Sequence, residues 1–403
     1  MTLHPRHNLA ISTILGSLAF TVPALALDAD DFATKVAALV GQGSAKVSFS
    51  SVEPDGDTIV LKSVRMEAPG EPAVEFGDIT FDGVEDETGG SYHVDQAIFQ
   101  DIDFTRDGVR ITVDDMELSG LTIPADLDAD PIDTISFYEG FSTGMIRVEK
   151  DRKEIFSMAG TILDIDRADD DASIGMKMDG SDISVDLSQI KDPKARRALS
   201  DLGYTTLSGD LKFDGIWELA SGTLNIREYS LNLDEVGRLA VALEVSGYTR
   251  DFIKAIQQAK TAAAANPDPQ AAQQSMGIVM MGMLQQLSFK SASVQFEDDS
   301  VTEKALAYAG KQQGVTGEQM RQSVKFMLPL MLGQLGIPAL QQQISAAANV
   351  YLDNPETITI TAKPANPVAV PVIMGAGMGD PKSLVDLLNV QVTANEPVLL
   401  CCE

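Results

Sequence analysis

The chain has 403 residues, of which 59 are acidic and 30 are basic, so its formal net charge at pH 7 is −29. Nucleic-acid-binding proteins are excluded as a class, because their affinity depends on neutralising phosphates with Lys and Arg. The two cysteines, Cys401 and Cys402, lie at the C-terminus. The body of the chain therefore has no disulfide, and its stability must come from an apolar core.

Residues 1–26 have the pattern of a cleaved secretory signal peptide. Arg6 precedes an apolar run from Leu9 to Val22, and Ala24, Leu25 and Ala26 form a small-x-small cleavage site. The run is 14 residues long, which is short of the roughly 20 that cross a bilayer as a helix. We therefore expect a periplasmic protein with no transmembrane span after signal cleavage.

Residues 27–248 are predicted to form a β-rich strand ladder after one short helix at 28–42. Apolar residues stand two apart in many short segments, as at Ile59 and Leu61 or Ile79 and Phe81, and this period is typical of antiparallel strands with one buried face. Turn residues recur at intervals of roughly ten. Asp107 and Gly108 predict a hairpin.

Residues 249–356 change to a helical period and predict a Met-rich helical layer with one inserted strand at 288–297. Ser300 with Glu303, and Thr316 with Gln319, have the spacing of capping boxes. Residues 357–403 are predicted as returning strands, including 368–373, then a short helix from Asp380 and a C-terminal tail. The expected fold is α+β, a large, mostly antiparallel, elongated or curved β-sheet with a C-terminal helical layer packed on it.

Catalytic residues are scarce. His93 is the one histidine outside the signal segment, so every Ser-His-Asp triad would need it, and we interpret it as a strand residue on the surface. Ser188 and Lys191 fit Ser-x-x-Lys, but the companion motifs of that class are missing. Gly375, Gly377 and Gly379 lack the Walker spacing and are interpreted as a turn. We expect a non-catalytic protein without a cofactor.

Acidic residues give weak candidates for a calcium site. Asp126, Asp128 and Asp130 copy the start of an EF-hand loop, but Pro131 and Phe137 stand where that loop needs Gly and Glu. A second acidic cluster begins at Asp164. We interpret both as solvated turns, and we predict no metal site.

Methionines suggest a ligand groove. Methionine fills irregular apolar surfaces and is frequent in promiscuous binding grooves. Two interpretations stay open: these helices pack on the sheet, or their methionines line a groove. The groove candidates are Met276, Met280, Met283, Met320, Met327 and Met331.

The Asp- and Gly-punctuated amphipathic strands of residues 47–245, poor in His and Cys, resemble the AsmA-like group of periplasmic β-rich envelope proteins. The resemblance implies a long curved sheet whose concave apolar face carries lipid acyl chains. Our first hypothesis is a module that binds lipid or another apolar ligand in a sheet groove, or assists envelope assembly with envelope protein partners. The alternatives are a secreted structural or interaction protein, with or without stabilisation by calcium, and a hydrolase that uses carboxylates alone.

Overall fold

The computed structural model describes residues 27–41, 45–68, 73–126, 138–264, 266, 268–334 and 336–396. The predicted signal peptide, Asp128, Asp130 and the two cysteines lie outside these residues. The fold class is confirmed: the protein is α+β, with a large antiparallel sheet that does not close and helices concentrated towards the C-terminus.

The described strands and helices occur in a mixed order along the chain. The strands are β1 Lys46–Ser48, β2 Ser51–Asp55, β3 Thr58–Glu67, β4 Val74–Asp86, β5 Tyr92–Phe99, β6 Ile102–Arg106, β7 Val109–Val113, β8 Glu117–Ile123, β9 Gly140–Thr143, β10 Ile146–Lys150, β11 Lys153–Met158, β12 Gly160–Arg167, β13 Ser173–Asp186, β14 Thr206–Glu218, β15 Thr223–Leu233, β16 Gly237–Ser246, β17 Ser288–Asp298, β18 Thr357–Ala362, β19 Val368–Ala369 and β20 Val390–Ala394. The helices are α1 Ala29–Gly41, α2 Pro193–Asp201, α3 Arg250–Ala264, α4 Pro269–Leu284, α5 Val301–Gln313, α6 Gly317–Gly333, α7 Pro338–Asp353, α8 Val370–Gly379 and α9 Ser383–Leu387.

The sheet is a meander without crossovers. In six places, two consecutive segments belong to one long strand, because both are hydrogen-bonded to the same neighbouring long strand. These are β1/β2, β5/β6, β7/β8, β9/β10, β11/β12 and β18/β19. The twenty segments therefore form fourteen long strands. Each long strand pairs antiparallel with the next one in chain order. The predicted hairpin at Asp107 and Gly108 is confirmed, and both residues have the positive φ that a tight hairpin turn requires.

The register places apolar residues on one face of the sheet. Phe213, Tyr229, Val241, Val294 and Ile360 lie opposite one another on five neighbouring strands. The row on the other face, one residue earlier or later in each strand, consists of Lys212, Ser230, Ala240, Gln295 and Thr359. Because successive side chains of a strand point to opposite faces, the sheet has an apolar face and a polar face.

Helix α1 covers the apolar face at the N-terminal end of the sheet. The ring of Phe32 lies edge-on to Phe81 and Tyr92, with centroid distances of 5.1 and 5.4 Å. The Tyr92 hydroxyl donates a hydrogen bond of 2.8 Å to the Asp31 carboxylate. The buried cluster also contains apolar residues of β3, β4, β5 and β8. This end of the sheet therefore has a closed core.

Two further clusters bury other parts of the apolar face. Near the start of α3, Trp217 and Ile253 pack together, and the Trp217 indole donates to the Tyr248 carbonyl oxygen at 2.7 Å. At the C-terminal end, α5, α6 and α7 form a cluster with the last strands, in which Met320 and Tyr351 are buried together with Val392. The helical layer thus packs on the end of the sheet.

Three local predictions need correction: the cap at Ser300, the strand at 368–373 and the turn at the glycines that follow it. The capping box at Thr316 and Gln319 forms. Ser300 does not cap its helix, because its hydroxyl donates to the Glu235 carbonyl oxygen. The Asp298 carboxylate instead accepts a hydrogen bond of 2.9 Å from the Thr302 N–H. The strand predicted at 368–373 ends at Ala369.

The early end of this strand has a physical cause. Its partner β17 begins at Ser288, so residues beyond 369 have no ladder partner on that side. Pro371 has no backbone N–H and suits the first turn of a helix. Helix α8 therefore begins at Val370 and contains Gly375, Gly377 and Gly379, which we predicted as a turn.

We expect the α1 core to be essential for stability. Phe32→Ala removes a fully buried ring, and such truncations cost about 3–5 kcal/mol of the free energy of unfolding. The matched control is Val40→Ala in the same helix, where the side chain is 42% exposed and the cost should be about 0.5 kcal/mol or less. Urea unfolding followed by circular dichroism measures both, and equal costs would contradict the assignment of this core.

Candidate functional site

The middle of the apolar face is accessible to solvent. Large apolar side chains here are 36–48% exposed, whereas those under α1 are almost fully buried. They lie on three adjacent rows of the face, on five of the six consecutive long strands from β13 to β18. We call this surface the central apolar patch, and it comprises Met176, Tyr229, Leu239, Val294 and Ile360.

The position of the helices explains why this patch is uncovered. Helix α3 leaves the sheet after β16 and buries Phe252 and Ile253 at its start. Helix α4 packs mainly against α3, and α6 packs against α5 and α7. The patch therefore lies between the cluster around Trp217 and the C-terminal cluster, where Phe296 and Ile358 are already partly covered.

Aromatic and glycine residues shape the patch. The rings of Phe213 and Tyr229 meet edge-to-face with a centroid distance of 6.5 Å. Gly215 lies beside them, and a Cβ there would stand 3.0 Å from the Phe213 ring. Because Gly215 has no side chain, the Phe213 ring packs over the backbone at this point.

The six predicted groove methionines do not line one groove. Met283 and Met320 are buried, and Met320 packs among the C-terminal helices rather than beside a cavity. Met276 is half-buried. Met280, Met327 and Met331 are exposed on the outer sides of α4 and α6. Packing against neighbouring helices, which the sequence could not specify, separates the six.

Three helical segments expose further apolar side chains. Helix α4, helix α8 and the second half of α6 contain no charged residue. Ile278, Phe326 and Met378, one from each, are 75–80% exposed. Monomeric proteins seldom expose large apolar patches that have no function. These side chains lie on helices and are separate from the central apolar patch.

The histidine and carboxylates considered as catalytic residues do not form a catalytic site in the described part of the chain. His93 lies on the polar face, where its Nε2 is 3.6 Å from the Asp95 carboxylate. No hydrogen bond joins it to a serine in the part of the chain that the structure describes. The carboxylate-only hydrolase gains no support either, because the acidic side chains are distributed along the exposed polar face.

The acidic clusters share a cavity of about 970 Å3 beside Tyr138, which Asp126, Asp164, Asp166 and Asp169 help to line. Within the described residues, no three His, Cys, Asp or Glu side chains converge closely enough to hold a metal ion. Asp128 and Asp130 fall outside those residues. Among the described helices, none has the length and apolar character of a membrane-spanning helix.

Ser188 takes part in a polar network rather than a catalytic dyad. Its hydroxyl accepts from the Lys153 ammonium at 2.9 Å and donates to Asp186, whose other oxygen accepts from the Ser188 N–H at 2.8 Å. Lys153 also forms an ion pair of 2.5 Å with Asp186. The Lys153 ammonium is thus shared between the Asp186 carboxylate and the Ser188 hydroxyl. The predicted partner Lys191 takes no part.

Comparison with known proteins gives one partial match. The profile of a protein family described as "Uncharacterized protein" matches residues 230–395, which is less than half of the chain. The matched region begins near the end of β15 and includes the helices α3 to α9. No curated protein matches the chain.

We expect the Asp186 network to stabilise the protein in a pH-dependent way. Lys153, followed by Ser188, lowers the pKa of Asp186 from 3.8 to about 2. A carboxylate with a depressed pKa in the folded state contributes stability that is present above the unfolded pKa and is lost as the pH falls towards the folded pKa.

Asp186→Asn should therefore lower the melting temperature at neutral pH, and the difference from wild type should vanish as the pH approaches about 2. Thermal unfolding of both proteins over this range measures the effect. The exposed Asp234→Asn serves as control and should show little change at any pH. A difference that is constant with pH would contradict the ionic role.

Proposed function

We propose that the protein is a non-catalytic periplasmic protein that binds a lipid or another apolar ligand on the central apolar patch. The observation that carries this proposal is the partial exposure of Tyr229, Leu239, Val294 and Ile360 on a face that is closed at both ends. A soluble sheet whose apolar face is left open in its middle exposes surface that a ligand would remove from water.

The size of the patch suits an acyl chain. The six long strands from β13 to β18 are separated by five interstrand distances. At about 4.8 Å per distance, the patch is about 24 Å wide across the strands. Each buried methylene contributes about 0.8 kcal/mol. Burying about ten methylenes therefore contributes about 8 kcal/mol, which is comparable to the cost of association of about 4–15 kcal/mol. Binding by one chain should be reversible.

The rest of the chain supports this proposal. The predicted signal peptide directs the protein to the periplasm, an aqueous compartment in which lipids need a carrier. The charged polar face keeps the protein dispersed. The resemblance of residues 47–245 to AsmA-like proteins points to the same ligand class.

A second candidate function is interaction with an envelope protein partner. It rests on the exposed apolar side chains of α4, α6 and α8, among them Ile278, Phe326 and Met378. The two functions are separable by mutation: Phe326→Asp should leave ligand binding unchanged if the central apolar patch is the ligand site.

Charge introduced into the patch should weaken ligand binding. Leu239→Asp and Val294→Asp each place a carboxylate where the ligand would lie, and we expect affinity for a fluorescent fatty acid to fall by about tenfold or more, which is about 1.4 kcal/mol. Titration of the fluorescent ligand measures this loss. Native mass spectrometry of the purified protein tests whether lipid copurifies.

The matched control is Ile162→Asp. Ile162 is 56% exposed but lies on the polar face, opposite Ser142 and Asp179. Its substitution should leave the affinity unchanged. An equal loss in Ile162→Asp, or a wild-type protein that neither copurifies with lipid nor binds the fatty acid, would refute the proposed function.

A further inference from the structure

Charge is distributed unevenly along the chain. Residues 27–248 contain 46 acidic and 19 basic side chains, a net charge of −27, whereas residues 249–403 contain 13 and 10, a net charge of −3. Because each long strand pairs with the next one in chain order, the two parts are also largely separated in space. The end of the protein that carries most helices is therefore close to neutral, and the rest is strongly acidic.

Three long segments of the near-neutral end have no charged residue at all. They are residues 269–289, 326–352 and 364–379, and the longest has 27 residues in a chain of which 22% is charged. They contain all of α4 and α8, the second half of α6 and almost all of α7. This end of the protein thus combines low net charge with helices that are locally uncharged.

The most exposed side chains of these segments are large and apolar. Ile278 and Met281 stand three residues apart on α4, and Phe326 and Leu330 stand four apart on α6, so each pair lies on one side of its helix. The six most exposed side chains are 62–80% accessible to solvent. We call them the helical apolar surface, which comprises Ile278, Met281, Phe326, Leu330, Met331 and Met378.

Contacts at the two ends of α8 bring the three helices together. The Val370 N–H donates to the Leu287 carbonyl oxygen at 3.0 Å, so α8 begins beside the C-terminal end of α4. At the other end, a Cβ on Gly336 would stand 2.6 Å from the Lys382 Nζ, which places the turn after α6 beside the end of α8. Helix α8 has 10 residues and is about 15 Å long. The exposed side chains of α4 and α6 therefore lie towards its two ends.

The composition of the helical apolar surface favours a lipid bilayer over a protein as its partner. Hot spots of protein interfaces are enriched in Tyr, Trp and Arg, and this surface has none of the three; its one aromatic residue is Phe326. Apolar side chains of helices that lie on a membrane enter the boundary between head groups and acyl chains, where they leave water.

The charge distribution favours the same partner. Anionic head groups repel an acidic protein surface within about one Debye length, which is about 8 Å at physiological salt. The part with a net charge of −27 is therefore unsuited to close approach, whereas the helical end meets little repulsion. Contact through the helices keeps most of the negative charge away from the membrane.

We propose that the helical apolar surface docks the protein onto the surface of a phospholipid bilayer, with the acidic part of the sheet directed away from it. Binding arises from the burial of apolar side chains and not from attraction between charges. It should therefore occur on zwitterionic vesicles and should not weaken at high salt. The proposal goes beyond the proposed function and does not depend on it, because it uses none of the residues of the central apolar patch.

Flotation with phosphatidylcholine vesicles, at low and at high salt, tests the docking. We expect wild type to float with the vesicles under both conditions. Phe326→Asp and Met378→Asp should each lower the partition coefficient by about tenfold or more, because a carboxylate would have to leave water. Both side chains are at least 75% exposed, so the fold should be retained, and circular dichroism checks this.

Two control variants introduce the same acid elsewhere. Ile162→Asp changes a side chain that is 56% exposed on the polar face, and Leu239→Asp changes the central apolar patch. Both should float with the vesicles like wild type.

Insertion is measured directly by tryptophan fluorescence. The chain has one tryptophan, Trp217, which is buried and gives a constant background. With Phe326→Trp, we expect vesicles to shift the emission to shorter wavelength and brominated phosphatidylcholine to quench it. Ile162→Trp should show neither effect.

Three results would overturn the docking proposal. The first is wild-type protein that does not float with the vesicles, and the second is flotation that is lost at high salt. The third is flotation that is lost in Leu239→Asp but kept in Phe326→Asp, because the central apolar patch would then be the membrane contact. Titration of the patch with the fluorescent fatty acid is a separate measurement, so failure of docking is distinguishable from failure of the proposed function.

Discussion

The register of the meander is the constraint on which the rest of the structure depends. Because side chains alternate with a period of two, a slip of one residue in one strand would turn all its apolar side chains to the polar face. A β-bulge keeps apolar side chains on the apolar face where the spacing between them along a strand changes from two residues to three. Between Ile226 and Tyr229, one additional residue is accommodated against β16, so that both side chains stay on the apolar face.

Stability and binding are assigned to different parts of the same face. Phe32, Trp217 and Met320 lie in the three buried clusters, where helices exclude water from the sheet. The central apolar patch contributes less to stability, since its side chains stay partly in water. Under the proposed function, a ligand would therefore enter or leave the middle of the sheet without disturbing the closed cores beside it.

Local patterns in the sequence predicted the strands well, because alternation and turn chemistry are short-range signals. Ile59 with Leu61, the turn at Asp107 and the capping box at Thr316 are examples. The sequence could not predict which part of the apolar face stays uncovered, since that depends on where α3 and α4 pack.

The same reason explains the missed site residues. Tyr229, Leu239 and Val294 have the alternation of ordinary strand residues, and this pattern does not distinguish a covered position from an exposed one.

A meander without crossovers also has a consequence for evolution and assembly. Each long strand touches only its two neighbours along the sheet, as the units of a repeat protein do. Insertion or removal of a whole hairpin would lengthen or shorten the apolar face by two strands and leave the register of the others intact. Under the proposed function, gain or loss of hairpins would thus adjust the length of ligand accommodated, independently of the helices that close the ends.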